Sequence, residues 1–236
     1  MSESGQSEAR QDRAVVTMAI GAEAQGWLAH SGTRFAAYAA KYGFDYVILN
    51  EREIKCRIQW RKTKGNVQLE KYQIGTLLDR YERIVFFDAD ILLSPTCPDF
   101  CKMVPPENLG IVADPSGNEA WKRDEEMAAM EKLFGAIGAS SGAYFNSGVM
   151  VISRAHRELF RFDAKRIVAG RWPEQTALNY HSARLGIKRI YMDSRANFLP
   201  GHDGWNDTAK RQTAWAVHYA GPDAKREFFE DATKQS

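Results

Sequence analysis

The stretch Ile84-Val85-Phe86-Phe87-Asp88-Ala89-Asp90-Ile91-Leu92-Leu93 decides how this chain is read. Four apolar residues in a row predict a strand buried on both faces, and two carboxylates follow at its carboxyl end. Ligands of open α/β sheets bind at that end of the strands. Like charges two residues apart and partly desolvated repel each other. A hard divalent cation removes that cost, because Mg2+ or Mn2+ takes oxygens from one or two carboxylates and completes its shell with substrate phosphate oxygens. A chain with 30 acids also shows such pairs by chance, and on spacing alone the pair is a polar turn. The apolar run ahead of it raises the metal reading.

Working outward, short runs rich in Val, Ile, Phe and Tyr recur between helical patterns. They predict strands near 14–20, 44–49, 84–88, 109–113, 147–153, 187–192 and 215–219. This βα alternation implies a largely parallel sheet. Leu28, Phe35, Tyr38 and Tyr42 share one face of a first helix, and Ile74, Leu77, Leu78 and Tyr81 one face of a second. A third runs from Pro173 to about Leu185, with Pro in the first turn and Gly186 at the C-terminal cap. Residues 116–142, richer in charge and Gly, read as a helix between loops. The expected organisation is a disordered tail over 1–12, one domain over 13–228 and a C-terminal tail over 229–236.

Composition bounds the function. The 236 residues are 44% hydrophobic and 26% charged, with 32 Lys+Arg against 30 Asp+Glu, enough for one large α/β domain. The near-balance of charge argues against a nucleic-acid partner. No apolar run approaches the ~20 residues of a membrane helix, and residues 1–13 lack the apolar core of a secretory signal. Cys56, Cys97 and Cys101 are a sparse, odd set that reads as reduced thiols in a cytoplasmic protein. Cys97 and Cys101 have no second Cys/His pair to complete a zinc site.

A strand ending in D-x-D occurs in two enzyme classes: glycosyltransferases of the GT-A fold, and haloacid-dehalogenase-like phosphatases that use the first Asp as nucleophile. Segment 71–93 resembles the helix–strand–DxD unit of retaining GT-A enzymes typified by glycogenin and the bacterial lipopolysaccharide galactosyltransferases. Three further segments match in order. Tyr144-Phe145-Asn146-Ser147-Gly148-Val149 is similar to the family's YFN(A/S)GV strand. Glu174-Gln175-Thr176-Ala177-Leu178-Asn179 is similar to its DQD-x-LN helix start. His218-Tyr219-Ala220-Gly221-Pro222 followed by Lys225 is similar to its H-(Y/F)-x-G…K segment. These anchors span about residues 14–225. The phosphatase motif normally follows a first strand, whereas two strands precede Asp88 here, and no downstream acidic pair completes a phosphatase site.

The resemblance implies a GT-A α/β domain, a Rossmann-like mixed sheet flanked by helices. It would transfer a sugar from a nucleoside diphosphate sugar, UDP by preference, to a glycan or other hydroxyl acceptor with retention. It implies that Asp88, Asp90 and His218 hold Mn2+ or Mg2+ and that Ala89, Gly221 and Lys225 attend the diphosphate. Thr17, Ala19 and Gly21 would cradle the base through their backbones. Lys71 lies on the stripe of Ile74, Gly75 and Leu78, and a buried lysine needs an anionic or hydroxyl partner; the resemblance makes that partner the donor. Asp114 would bond sugar hydroxyls; a plain turn residue before Pro115 is an equally good reading of it. Asn146 would orient hydroxyls of donor or acceptor. Gln175 would lie beneath the anomeric carbon, with its carbonyl oxygen stabilising the oxocarbenium-like state. Three features depart from the family: Thr176 stands where an acid is usual, Lys225 is offset by one residue, and Ile20-Gly21-Ala22-Glu23 lacks the usual Asp or Asn after the first strand. The acceptor is expected between residues 116–142 and the loop 198–207, at Asp203, Trp205 and Asn206. A domain that binds nucleotide sugar without turnover is the remaining alternative.

Overall fold

The computed structural model describes residues 12–54, 67–115, 120–138, 142–168, 170–221 and 224–234. Cys56, Pro222 and all but Asp12 of the expected N-terminal tail lie outside them. Among the described residues eight strands form: β1 Arg13–Met18, β2 Asp45–Leu49, β3 Arg83–Asp88, β4 Ile91–Leu93, β5 Leu109–Ala113, β6 Phe145–Ser153, β7 Arg189–Tyr191 and β8 Ala216–His218. The helices are α1 Ala22–Tyr42, α2 Ile74–Leu77, α3 Phe100–Met103, α4 Ala120–Phe134, α5 Pro173–Arg184, α6 Thr208–Thr213 and α7 Lys225–Lys234. Among the described residues no helix is long and apolar enough to cross a membrane.

The central sheet runs β2-β1-β3-β6-β5-β7. Its first three strands are parallel, and β5 pairs parallel with β7; only β6 is antiparallel to its neighbours, so the sheet is mixed and largely parallel, as the sequence implied. After β5 the chain passes through α4 and re-enters at the same end, pairing Ala113 with Phe145. That reversal has a consequence for position. The carboxyl ends of β1, β3 and β5 and the start of β6 share one edge, with Phe87 opposite Val149.

Side-chain alternation splits the core across the two faces. Ile84 and Phe86 of β3 join Met150 and Ile152 of β6 beside Leu178 of α5. Val85 and Phe87 join Val149 and Val151 beside Phe35 and Tyr38 of α1. All nine residues of β6 are buried. α5 has Pro173 in its first turn and Gly186 just beyond it at φ +65°, a left-handed conformation that Gly adopts without a Cβ penalty.

Three elements differ from the sequence reading. Residues 67–73 form a 3-10 segment and only one turn of α-helix follows. The tighter winding eclipses i and i+3, and Gln73 Nε2 donates to Glu70 Oε2 at 2.7 Å. The strand β4 was unforeseen; it pairs antiparallel with β8, placing Ile91 opposite His218. Residues 229–234 of the expected C-terminal tail instead belong to α7, with Asp231 and Ala232 buried, and Phe228 of the same helix packs edge-on to Trp27. Cys97 and Cys101 are free, and burial pushes the Cys101 thiol up to about 11, as befits inert thiols.

Candidate active site

Asp88 ends β3, and the turn through Ala89 and Asp90 leads directly into β4. Ser31 of α1, fully buried, clamps that turn by donating to the Ala89 carbonyl at 2.7 Å. Because β4 pairs with β8, the Tyr219 N–H donates to the Asp90 carbonyl at 3.0 Å and His218 is delivered to the carboxylates. Its Nε2 lies 3.3 Å from Asp90 Oδ1 and 3.9 Å from Asp88 Oδ2. One ligand atom from each of the three residues falls within 4.8 Å of the others, a donor set that a divalent cation could bridge. Burial pulls the imidazole pKa down, but the Asp90 and Asp88 carboxylates outweigh it and hold it above the ordinary range.

Lys71 is buried, and its ammonium is fully occupied within the protein. Nζ lies 3.1 Å from Asp88 Oδ1, 3.2 Å from the Ser147 carbonyl and 3.1 Å from Ser147 Oγ. The three donors of the ammonium face Asp88 and Ser147 in this arrangement. Glu174 is a more distant anion, with Oε2 3.7 Å from Nζ. Desolvation pulls the Lys71 pKa down, but the Asp88 and Glu174 carboxylates together raise it.

Glu174 sits beneath this pair, 3% exposed, with Oε1 lacking a hydrogen-bond partner. Burial pushes its carboxyl up to about 7 in spite of Lys71. A carboxyl whose folded pKa exceeds its unfolded value stabilises most below about pH 4.3, and that stability is lost as pH rises through about 7. Glu174→Gln mimics the neutral form at every pH. Measured by urea midpoints, the variant should gain about 1–3 kcal/mol on the wild type between pH 5 and pH 8. An unchanged difference would mean that Glu174 stays ionised throughout.

Gln175 bridges two strands. Its Oε1 accepts from the Ser147 N–H at 3.0 Å, and its Nε2 donates to Asp114 Oδ2 at 3.2 Å. The Ser147 hydroxyl also lies 3.3 Å from this carbonyl oxygen. Asp114, at the end of β5, is gripped by Arg123 of α4, whose Nη1 lies 2.5 Å from Oδ1. Where the resembling family has an acid, Thr176 donates to Glu126 Oε2 at 2.7 Å. The Glu126 carboxylate also accepts from the Arg171 and Trp172 N–H groups, a favourable place for negative charge at the start of α5. Asn146 Oδ1 is committed inside the protein, accepting from the Gly148 N–H at 2.8 Å and from Asn197 Nδ2 at 2.9 Å.

Other expected site residues lie apart from this network or are otherwise engaged. Thr17 is fully buried with sheet partners on both sides, and Ala19 N–H donates to the Leu49 carbonyl. Gly21 is exposed at φ +87°. Lys225 points to α1, with Nζ 3.6 Å from Glu23 Oε1, and Gly221 is exposed at φ +93°. In the loop 198–207, Trp205 packs on Phe198 and Tyr219, while Asp203 and Asn206 are exposed. Gly201 sits against Pro115, a Cβ there being 3.1 Å from its ring, so this loop borders Asp114. Within 116–142, residues 116–119 and 139–141 lie outside the described residues. Ser147, Glu174, Asn197, Arg123 and Glu126 escaped the sequence reading; only Glu174, adjoining Gln175, carried a signal.

No protein-family model matches the chain, and no curated protein matches it. Solved structures do. The galactosyltransferase LgtC in complex with donor and acceptor sugar analogs is 17% identical at a TM-score of 0.59, covering 93% of this chain and 95% of that one. A glycosyltransferase involved in glycosylation of the major capsid of PBCV-1 is 11% identical at 0.60, covering 94% and 99%. The bifunctional glycosyltransferase WbbM is 14% identical at 0.58, covering 94% of this chain and 50% of its own length. The fold is thus the GT-A architecture of these transferases.

Proposed function

We propose that the chain is a metal-dependent retaining glycosyltransferase, moving a sugar from a UDP-linked donor to a hydroxyl of a glycan or similar acceptor. The observation that carries this reading is the meeting of Asp88, Asp90 and His218 at the sheet edge where strands of an α/β fold present their ligands. Two carboxylate oxygens and an imidazole nitrogen suit Mn2+ or Mg2+. Bound there, the cation would act as a Lewis acid that neutralises charge on the departing diphosphate. The remaining work falls to side chains. Lys71 holds Asp88 in place from the protein side. Asp114, braced by Arg123, holds the Gln175 amide, whose carbonyl dipole would stabilise positive charge at the anomeric carbon. Against a phosphatase, Asp88 is occupied by Lys71 and abuts His218, which leaves it poorly disposed to attack phosphorus.

The test is a panel of UDP-, GDP- and ADP-linked sugars incubated with the protein and Mn2+. Slow hydrolysis of one donor, abolished by EDTA, is the expected result; binding without turnover across acceptors would leave a nucleotide-sugar-binding domain. With the acceptor in hand, an α-linked donor should give an α-linked product, read from the anomeric proton coupling. Gln175→Ala should lower kcat more than it weakens donor binding, since the contact strengthens only as charge develops. A β-linked product would remove the retaining assignment and leave the metal reading intact.

A further inference from the structure

The orientation of His218 can be traced from an unambiguous donor. The backbone N–H of Gly148 donates to Asn146 Oδ1 at 2.8 Å, which settles which end of that amide faces inward. The same oxygen lies 2.9 Å from Asn197, and an acceptor must face a donor, so Asn197 turns its Nδ2 toward Asn146. Its Oδ1 is thereby aimed at the imidazole, 3.0 Å from His218 Nδ1. An amide oxygen only accepts, so Nδ1 carries the hydrogen. The lone pair of the neutral ring is left on Nε2, the nitrogen 3.3 Å from Asp90. Asn197 has no solvent exposure, and Asn146 and His218 are also buried, so water does not compete for these bonds.

From this relay we infer that Asn197 is a positioning residue of the metal site: it selects the His218 tautomer and aims Nε2 at the carboxylate pair. The inference rests on reading Asp88, Asp90 and His218 as metal ligands. A partner on the far nitrogen of a ligating imidazole sets ring orientation and basicity. Backbone bonds hold β8 independently of this side chain, from Phe198 N–H to the Ala216 carbonyl and from His218 N–H to the Phe198 carbonyl. Asn197→Leu should therefore disturb the ring more than the strand.

Two measurements test it. In the 15N-labelled wild type, long-range 1H–15N spectra should show His218 Nδ1 protonated and hydrogen-bonded; a bare Nδ1 would overturn the relay. In Asn197→Leu, the affinity for Mn2+ in the presence of UDP should fall about ten- to a hundredfold in a protein that still unfolds cooperatively. A folded variant with wild-type Mn2+ affinity would overturn the positioning role. If the variant does not fold, the wild-type spectrum decides. If wild type binds no Mn2+, the metal reading fails, while the spectrum still judges the relay on its own.

Discussion

Asp90→Asn should cost on the order of a thousandfold in kcat/KM, equivalent to about 4 kcal/mol, and should abolish Mn2+-dependent binding of UDP. The substitution keeps shape and removes one charged oxygen from a donor set of three. It is a cleaner test than Asp88→Asn, because Asp88 is also the near counter-ion of buried Lys71, and losing it leaves a buried ammonium poorly paired. Asp90 makes no close contact with Lys71; its carboxylate faces the His218 ring instead. The bond it contributes to the fold is made by its carbonyl, which accepts from Tyr219 N–H and survives the change. Calorimetry with and without EDTA, beside a urea melt, separates the two losses. Undiminished metal-dependent binding by a folded Asp90→Asn protein would falsify the metal assignment.

The seven strands expected from the sequence are each present within two residues at either end, because runs such as 84–88 are too apolar to lie anywhere but inside a sheet. What escaped detection was short or non-local. Ile91–Leu93 is a three-residue strand, too brief to show a period, and its pairing with Ala216–His218 unites segments far apart in the chain. This ribbon is what carries His218 to the carboxylates. The direction of β6 was also hidden, since an apolar run reads alike in either direction. Lys71 illustrates the limit at the site. Helical periodicity marked it as buried and in need of an anionic or hydroxyl partner, but could not point to Asp88, 17 positions away. The same limit hid Asn197 and Glu126, ordinary polar residues whose partners Asn146 and Thr176 lie 51 and 50 positions away.

Gly148 gives the second large effect, and a test of whether this geometry is needed. A Cβ on Gly148 would lie 2.2 Å from His218 Cε1, 2.6 Å from Nδ1 and 2.9 Å from Asn146 Oδ1. β6 cannot retreat, because it is paired to β3 on one side and β5 on the other. The ring must therefore move, breaking its bond to Asn197 and carrying Nε2 away from Asp90. Gly148→Ala should lower Mn2+ affinity on the order of a hundredfold and cost about 1–3 kcal/mol of stability through overpacking. The two losses share one cause, so a double-mutant cycle can expose it. In a His218→Ala background the ring is gone, and adding Gly148→Ala should then cost little stability and no further metal affinity. If both penalties persist in that background, the methyl acts on the β6 backbone itself, and the close approach of His218 to Gly148 is incidental to the site.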